Sequence, residues 1–141
     1  MNISKLLEAL EDDTNESLLN MTTNKISEIN LKILKELNLS KKNILEISKK
    51  LKGYKYIDEM NDLKYGTYIR WIPLNDPTNI VLTKGAIFCE IKITDEGTCC
   101  ICKNFGFHSR YFQIMLDENL IFQKLTDQEH VLLSALDHLS K

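Results

Sequence analysis

Four cysteines in the middle of the chain are the first residues whose type and spacing suggest chemistry: Cys89, Cys99, Cys100 and Cys102. The spacing Cys99-x-x-Cys102 is that of half a zinc site, and His108 follows six residues later. The pair falls within a segment that alternates as a β-strand, where residues 99 and 102 point to opposite faces. Free cysteine is among the most buried residue types, so we expect structural thiols here and no metal site.

The other side chains with catalytic potential are scattered. His130 and His138 lie eight residues apart near the C-terminus, on a partly solvated helical face. Neither a Ser-His-Asp nor an HExxH arrangement is present, and the five glycines form no phosphate-cradling loop. No cysteine has a base positioned beside it in the sequence. We therefore predict no catalytic residue, no cofactor and no enzymatic activity.

Aromatic and basic residues are mixed in KNFGFHSRYFQI (103–114), which is typical of surfaces that stack on nucleic-acid bases. Strand alternation places Phe112 inward and Tyr111 outward. The same alternation applies to LKYGTYIRWIPL (63–74). The predicted binding surface consists of the outward and loop residues of both segments: Tyr68, Arg70, Phe107, His108, Arg110 and Tyr111. The alternative is a hairpin with some rings in the core and an ordinary surface.

A second basic element is SKKNILEISKKLKGYKY (40–56), which is predicted to be largely helical. Its lysines are offset only by Glu46 and recur on a similar face at spacings of seven to nine residues: Lys41, Lys42, Lys49, Lys50 and Lys52. Such a stripe is suited to phosphate contacts. The alternative is a solvated amphipathic helix. Membrane-surface binding is not expected, because the apolar face lacks an anchoring Trp or Phe.

Charge is distributed unevenly along the chain. The net charge is −2, with −4 in residues 1–20, +6 in 21–56 and −4 in 57–141. The central block supports binding to phosphates. Against it, dedicated nucleic-acid binders are usually basic as whole domains, and the chain is rich in Ile, Asn and Lys throughout.

The first third of the chain is predicted to be helical. Apolar residues recur at helical spacing in three segments, which are separated by the polar DDTNES (12–17) and by the capping residues, Thr22 or Thr23 for the second helix and Ser40 for the third. Gly53 stands where a glycine cap would end the third helix. These helices are too short to be stable alone, so they must pack on each other, on the second half or on another copy.

From residue 63 the hydrophobic period changes to two. Five antiparallel strands are predicted, at 63–74, 84–93, 98–105, 110–116 and 120–125. Closing such a meander into a small SH3-like barrel removes its open edges. Thr126 and Glu129 then form a capping box that begins a C-terminal helix, predicted to plug one mouth of the barrel or to pack on the N-terminal helices.

Together these patterns predict an α+β protein of one domain with an arm. Residues 1–56 form the helical arm, and residues 57–141 form the SH3-like β-barrel with its C-terminal capping helix. No run approaches the roughly 18 apolar residues of a membrane span. The start MNISKLLEALEDD lacks the apolar core of a signal peptide. We expect a protein that is not secreted and whose thiols are reduced.

Two segments carry a resemblance to a known family: YKYIDEMNDLKYGTYIRWIPL (54–74) and ENLIFQKLTDQEHVLLSALDHL (118–139). Residues 54–141 resemble a small family of uncharacterised proteins of nucleocytoplasmic large DNA viruses, the mimivirus-like group especially. The resemblance implies a setting, the virus factory in the host cytoplasm or the virion. It carries no catalytic residues and implies no activity.

From these patterns we expect a non-enzymatic binding module associated with viral nucleic acid. The lysine helix would contact phosphates, which gives affinity without sequence information. The barrel surface would contact bases or a partner protein. The alternative is a structural or adaptor protein that makes protein–protein contacts, as a homodimer or a virion component.

Overall fold

The structure, a computed structural model, describes residues 3–104 and 110–140. Four α-helices are present: α1 (Ile3–Glu11), α2 (Thr23–Lys35), α3 (Lys41–Lys50) and α4 (Asp127–Leu139). Six strands are present: β1 (Tyr54–Ile57), β2 (Tyr68–Pro73), β3 (Ala86–Thr94), β4 (Gly97–Lys103), β5 (Tyr111–Met115) and β6 (Asn119–Lys124). Three short 3₁₀ turns complete the order, at Asp13–Leu18, Met60–Asp62 and Leu116–Glu118.

The predicted caps begin three of the helices. Thr22 Oγ1 accepts from Lys25 N at 3.1 Å, and Ser40 Oγ accepts from Asn43 N at 3.2 Å. At α4 both bonds of the predicted capping box are formed: Glu129 N donates to Thr126 Oγ1, and Thr126 N donates to Glu129 Oε1. These bonds satisfy backbone N–H groups that a helix start leaves without an internal partner.

The strands form one antiparallel sheet in the order β1-β6-β2-β3-β4-β5. The α+β class and all five predicted strands are confirmed. β1 was not predicted, and it begins within the range 1–56 assigned to the helical arm. The first and last of the five predicted strands, β2 and β6, pair as closure requires. Between β5 and β6 the described chain has a 3₁₀ turn and no strand pairing, so the sheet is open and the closed SH3-like barrel is not confirmed.

The sheet is strongly curled around one of its faces, here called the Trp71 face. This face carries a core cluster of Ile57, Ile69, Trp71, Ala86, Phe88, Cys100, Cys102 and Ile121. The rings of Trp71 on β2 and Phe112 on β5 are 5.8 Å apart. These strands are three steps apart in the sheet, which would be about 14 Å if the sheet were flat. The inward side chains of β2 and β5 therefore meet across the concave interior.

Helices cover the sheet on both sides. On the opposite, convex side, here called the Phe122 face, α2 and α3 pack through a cluster that includes Leu34, Ile47, Leu51 and Phe122. α1 and α4 pack together over Leu125 in another cluster, to which Ile26 of α2 also belongs. The helices of the predicted arm thus share cores with the sheet and with α4. The division at residue 56 stays a prediction.

The outer edge of β1 is covered by a side chain of α2. Asn30 Nδ2 donates to Tyr54 O at 2.9 Å, and Tyr56 N donates to Asn30 Oδ1 at 2.9 Å. One buried amide therefore satisfies both a donor and an acceptor of this edge strand. Within the described residues, no helix is long and apolar enough to cross a bilayer.

Candidate nucleic-acid interface

A row of tyrosine and lysine crosses three strands at one end of the Phe122 face. Tyr54 on β1 is paired with Lys124 on β6. Ile69 on β2 is paired with Gln123, so Tyr68, the residue before Ile69, lies beside Lys124 on the other side. Residues opposite each other in an antiparallel sheet project from the same face. The order across this end of the sheet is therefore tyrosine, lysine, tyrosine.

Arg70 lies next to this row and its position is fixed by the segment before β3. Its Nε donates to Thr83 O at 2.8 Å, which leaves the two terminal amino groups of the guanidinium for another partner. Tyr68 Oη donates to Lys84 O. Arg70 and Tyr68 are thus both anchored on the same backbone segment. We refer to Tyr54, Tyr68, Arg70 and Lys124 as the convex patch.

Gly85 allows this segment to approach the patch closely. Its φ is 95°, and a β-carbon placed there would lie 2.8 Å from Tyr68 Cε1 and 2.9 Å from Arg70 Cγ. It would also clash with Ile69 O. The positive φ and the close contacts of a β-carbon both exclude a residue other than glycine at position 85. The backbone at Gly85 therefore packs directly on the two patch residues and restricts their movement.

The electrostatic environment of the patch is positive. Burial raises the pKa of the Tyr54 hydroxyl, while the neighbouring Arg70 guanidinium opposes the rise and Tyr68 adds to it. Among residues 3–104 and 110–140, neither Arg70 nor Lys124 forms an ion pair. Both cations are free to meet an external anion.

The predicted lysines of α3 separate into two groups. All five are exposed: Lys41, Lys42, Lys49, Lys50 and Lys52. Lys49 and Lys52 line a groove between α2 and α3. At about 100° per residue, Lys50 projects about 100° round α3 from Lys49, and Lys52 lies beyond the end of the helix. The C-terminal end of α3 leads through Gly53 directly into Tyr54, whose N–H donates to Leu51 O at 2.9 Å. Lys50 is thus the lysine within α3 nearest in sequence to Tyr54 of the convex patch.

The second half of the predicted surface lies elsewhere. Arg110 and Tyr111 are exposed at the start of β5. Lys103 Nζ lies 5.7 Å from the centre of the Tyr111 ring, within range of a cation–π contact. Because β2 and β5 face each other across the interior, their outward residues lie on different sides of the curled sheet. Arg110 and Tyr111 are therefore not brought together with Tyr68 and Arg70. Phe107 and His108 lie outside the described residues.

A buried polar cluster that the sequence patterns did not predict lies beneath α4. The Glu129 carboxylate is fully buried, with Oε2 2.9 Å from Lys55 Nζ and 3.5 Å from Lys64 Nζ. Lys64 Nζ also donates to Asn15 Oδ1 at 2.5 Å. Gln123, buried as well, accepts from the backbone N–H of Lys64 at 2.7 Å. The cluster ties α4 and the 3₁₀ turn before α2 to the sheet.

This cluster has one positive charge in excess when all three ionisable groups are charged. Burial lowers the pKa of the Lys64 ammonium, and the Glu129 carboxylate opposes this shift. Each member has a partner within the cluster. Its contacts are those of a structural network that joins α4, the sheet and the loop before β2. The sequence contains one signal for this cluster, the alternation in YKYI (54–57). In a strand, Lys55 points to the face opposite to that of Tyr54 and Tyr56.

Three of the four cysteines are buried thiols, as predicted. Cys99, Cys100 and Cys102 are buried, Cys89 is half-buried, and all four are free. Burial raises the pKa of Cys100 to about 11 and that of Cys102 to about 12. A thiol with such a pKa is a weak nucleophile near neutral pH. In the described part of the chain, no group of three or more His, Cys, Asp and Glu residues is arranged to hold a metal ion.

Tyr54 and Lys124 are the patch members that the sequence patterns missed, since neither β1 nor its pairing with β6 was predicted. His130 and His138 are exposed, as expected for surface histidines. Comparison of the chain with protein-family models, with curated proteins and with solved structures gives no match.

Proposed function

We propose that this protein is a non-enzymatic binding module for nucleic acid and that the convex patch is its contact surface. The observation that carries the proposal is the juxtaposition of two tyrosines with Arg70 and Lys124. Aromatic rings stack on bases and cations meet phosphates, which is the combination that single-strand binders use. The anchoring of Tyr68 and Arg70 beside Gly85 supports a preformed site, because these two side chains then lose little conformational entropy on binding.

The patch favours single-stranded over double-stranded nucleic acid. Two half-buried tyrosines on a sheet can reach bases only where these are unstacked from a partner strand. Lys50, at the end of α3, would continue the line of phosphate contacts. Arg110 and Tyr111 lie on a different side of the sheet. They would add a second contact only if the bound nucleic-acid strand bends around the sheet.

An SH3-like barrel formed by β2 to β6 is part of the same proposal. Its support is the pairing of the first and last of these strands and the curl that brings Trp71 to Phe112. The viral setting implied by the family resemblance, virus factory or virion, is likewise proposed, and it rests on the residues quoted for that resemblance.

Fluorescence anisotropy with short labelled single- and double-stranded DNA and RNA tests the proposal. We expect single strands to bind, with an affinity that falls log-linearly with salt by about 0.7 per phosphate contact. Replacing both patch cations, Arg70→Gln with Lys124→Gln, should reduce that slope by between about 1 and 2. Replacing Tyr68 by Leu should weaken binding by about 1–3 kcal/mol, because base stacking is lost.

A matched control is Lys92→Gln. Lys92 is exposed on β3, beyond the bulge between Phe88 and Glu90 and far along the sheet from Gly85. Lys92→Gln and Lys124→Gln each change the net charge by one unit, but only Lys124→Gln alters the convex patch. Binding that is equally weakened by Lys92→Gln and Lys124→Gln would mean that only overall charge matters. Absence of binding by the native protein at low salt would refute the proposal.

A further inference from the structure

Helix α1 presents an apolar stripe that residues 3–104 and 110–140 of its own chain leave exposed. Ile3, Leu7 and Leu10 are spaced four and three residues apart, so they lie on one side of the helix. Their exposed fractions are 69%, 53% and 48%. Leucine side chains in a row on a helix normally mark a buried face. This stripe is therefore a surface that an apolar partner would cover.

The other side of α1 is already occupied. Ala9 is fully buried in the cluster shared with α4, and Leu6 packs against the same cluster. Asn15 fastens the end of the helix by donating to Ala9 O at 2.9 Å and to Gln128 Oε1 at 3.3 Å. α1 thus stays on α4 within its own chain, and its exposed stripe points away from that contact.

A groove of matching character lies between α2 and α3. It encloses about 380 Å³ and is lined by Leu31, Leu45 and Leu51 together with Lys49 and Lys52. Leu45 at its side is 59% exposed. Ser27, Asn30 and Ser48 complete the lining, so the groove is largely apolar and carries two cations. An amphipathic helix with acidic residues fits this combination, since helices commonly bind by laying an apolar face into such a groove.

The charges on α1 complement those of the groove. Glu11 is exposed on the flank of α1 beside the stripe, Glu8 is exposed about 60° further round the helix, and Lys49 and Lys52 are exposed at the groove. Within the ranges that the structure describes, none of these four forms an ion pair. The net charge of −4 in residues 1–20 against +6 in residues 21–56 repeats this complementarity over whole segments.

From these observations we propose that two copies of the chain associate, each inserting the Ile3–Leu7–Leu10 stripe of α1 into the α2–α3 groove of the other. The reciprocal arrangement forms a closed, two-fold symmetric dimer, in which the same pair of surfaces is used twice. None of the residues that line the groove belongs to the convex patch, so the dimer proposal does not rest on the function of that patch.

Sedimentation velocity over a wide range of protein concentrations tests the proposal with two charge reversals. The α1 variant carries Glu8→Lys and Glu11→Lys, and the groove variant carries Lys49→Glu and Lys52→Glu. All four positions are exposed, so both variants should fold, which their circular dichroism and thermal unfolding will verify. We expect the native chain to dimerise and each variant alone to be monomeric, with self-association weakened at least about 100-fold, because like charges then face each other.

An equimolar mixture of the two variants is the decisive sample. In the mixed dimer, lysines on one α1 face glutamates at the partner groove, and the native pairing is kept at the second groove. We expect the mixture to sediment as a dimer. Two monomeric variants that do not combine would overturn the proposal, as would a native chain that is monomeric at every concentration.

A further control separates this interface from a general charge effect. Lys25→Glu with Lys32→Glu makes the same change in net charge on exposed positions of α2 outside the groove. This variant should dimerise like the native chain. If it dissociates as completely as the groove variant does, the charge pairing at the α2–α3 groove is refuted.

Discussion

Lys55 Nζ lies 2.9 Å from Glu129 Oε2, and the carboxylate it meets is fully buried. Lys64 approaches the same oxygen to 3.5 Å, so one buried anion serves two lysines. The other oxygen of Glu129 accepts from Thr126 N at 3.0 Å and completes the capping box of α4. A single side chain thus both begins the C-terminal helix and neutralises charge in the core.

Glu129→Gln should strongly destabilise the fold. Glutamine keeps an oxygen that can accept from Thr126, but two partly buried ammonium groups lose their counter-ion. Breaking a buried ion pair by removing one partner costs about 3–5 kcal/mol. Urea denaturation will measure the free energy of unfolding. The matched control is Glu118→Gln at an exposed position, where the change should stay within about 0.5 kcal/mol. Equal stabilities of the two variants would contradict the prediction.

Stability should fall in acid in a way that depends on Glu129. Burial alone raises the pKa of this carboxyl, but Lys55, the Thr126 N–H and Lys64 outweigh burial, so the pKa lies below its ordinary value. The native state therefore binds this proton less readily than the unfolded state does. The stabilisation is fully present above the ordinary value of about 4.3 and is lost as the pH falls through the lower native pKa.

The measurement is the free energy of unfolding from urea titrations between neutral pH and strong acid. The native protein should lose more stability over this range than Glu129→Gln, which lacks the titrating group. Asp12 and Asp76 are present in both proteins, and hydrogen bonds from Thr14 and Thr78 respectively lower their pKa values. Their contribution cancels in the comparison. Parallel pH profiles would show that Glu129 is not the group responsible.

The thiols should differ sharply in reactivity with iodoacetamide. Cys89 is half-buried, whereas Cys99, Cys100 and Cys102 are buried and the last two have raised pKa values of about 11 and about 12. In the native protein at neutral pH we expect alkylation at Cys89 only, and at all four positions after unfolding in urea. Peptide mass spectrometry will locate the modified residues. Cys89→Ser should abolish the reaction of the native protein; fast modification of Cys102 would contradict its burial.

Gly85→Ala should destabilise the protein more than Gly53→Ala does. Both glycines have positive φ angles, 95° and 83°, so alanine is strained at either position by about 1–2 kcal/mol. Only at Gly85 would the new methyl group also meet Ile69 O and the Tyr68 ring. Such overpacking adds about 1–3 kcal/mol. Thermal or urea unfolding of both variants gives the difference. Equal losses would mean that the approach of Gly85 to β2 is unimportant.

The local parts of the fold were predictable because their signals are local. The caps at Thr22, Ser40 and Thr126 require only a hydroxyl and a nearby N–H group. The inward position of Trp71 follows from strand alternation alone. The five strands between residues 63 and 125 were likewise found from period and turns. Each of these features depends on residues that are neighbours in sequence.

The missed parts depend on distant partners. β1 has only four residues and reads as the end of a lysine-rich helix, and only its pairing with β6 makes it a strand. In β3 the bulge between Phe88 and Glu90 shifts the alternation, so that Ile91 faces the same core as Phe88. A bulge changes which residues face the core without leaving a clear signal in the sequence.

The candidate site shows the same division. Tyr68 and Arg70 were identified from alternation, but Tyr54 and Lys124 join them only through the register of β1, β6 and β2. The prediction that Tyr68 and Tyr111 belong to one binding surface assumed that outward residues on one sheet share a surface. The curl that brings Trp71 to Phe112 separates them, and curl is set by the whole sheet rather than by any one strand.

The bridge from Asn30 to the edge of β1 has a consequence for how the protein meets other chains. A side-chain amide offers the same donor and acceptor as a peptide unit, so Asn30 stands where the first peptide of a seventh strand would pair. An incoming strand would have to displace α2 before it could add to this edge. Fibre-like growth from β1 is thereby blocked, and a partner approaching this end of the molecule must bind side chains rather than extend the sheet.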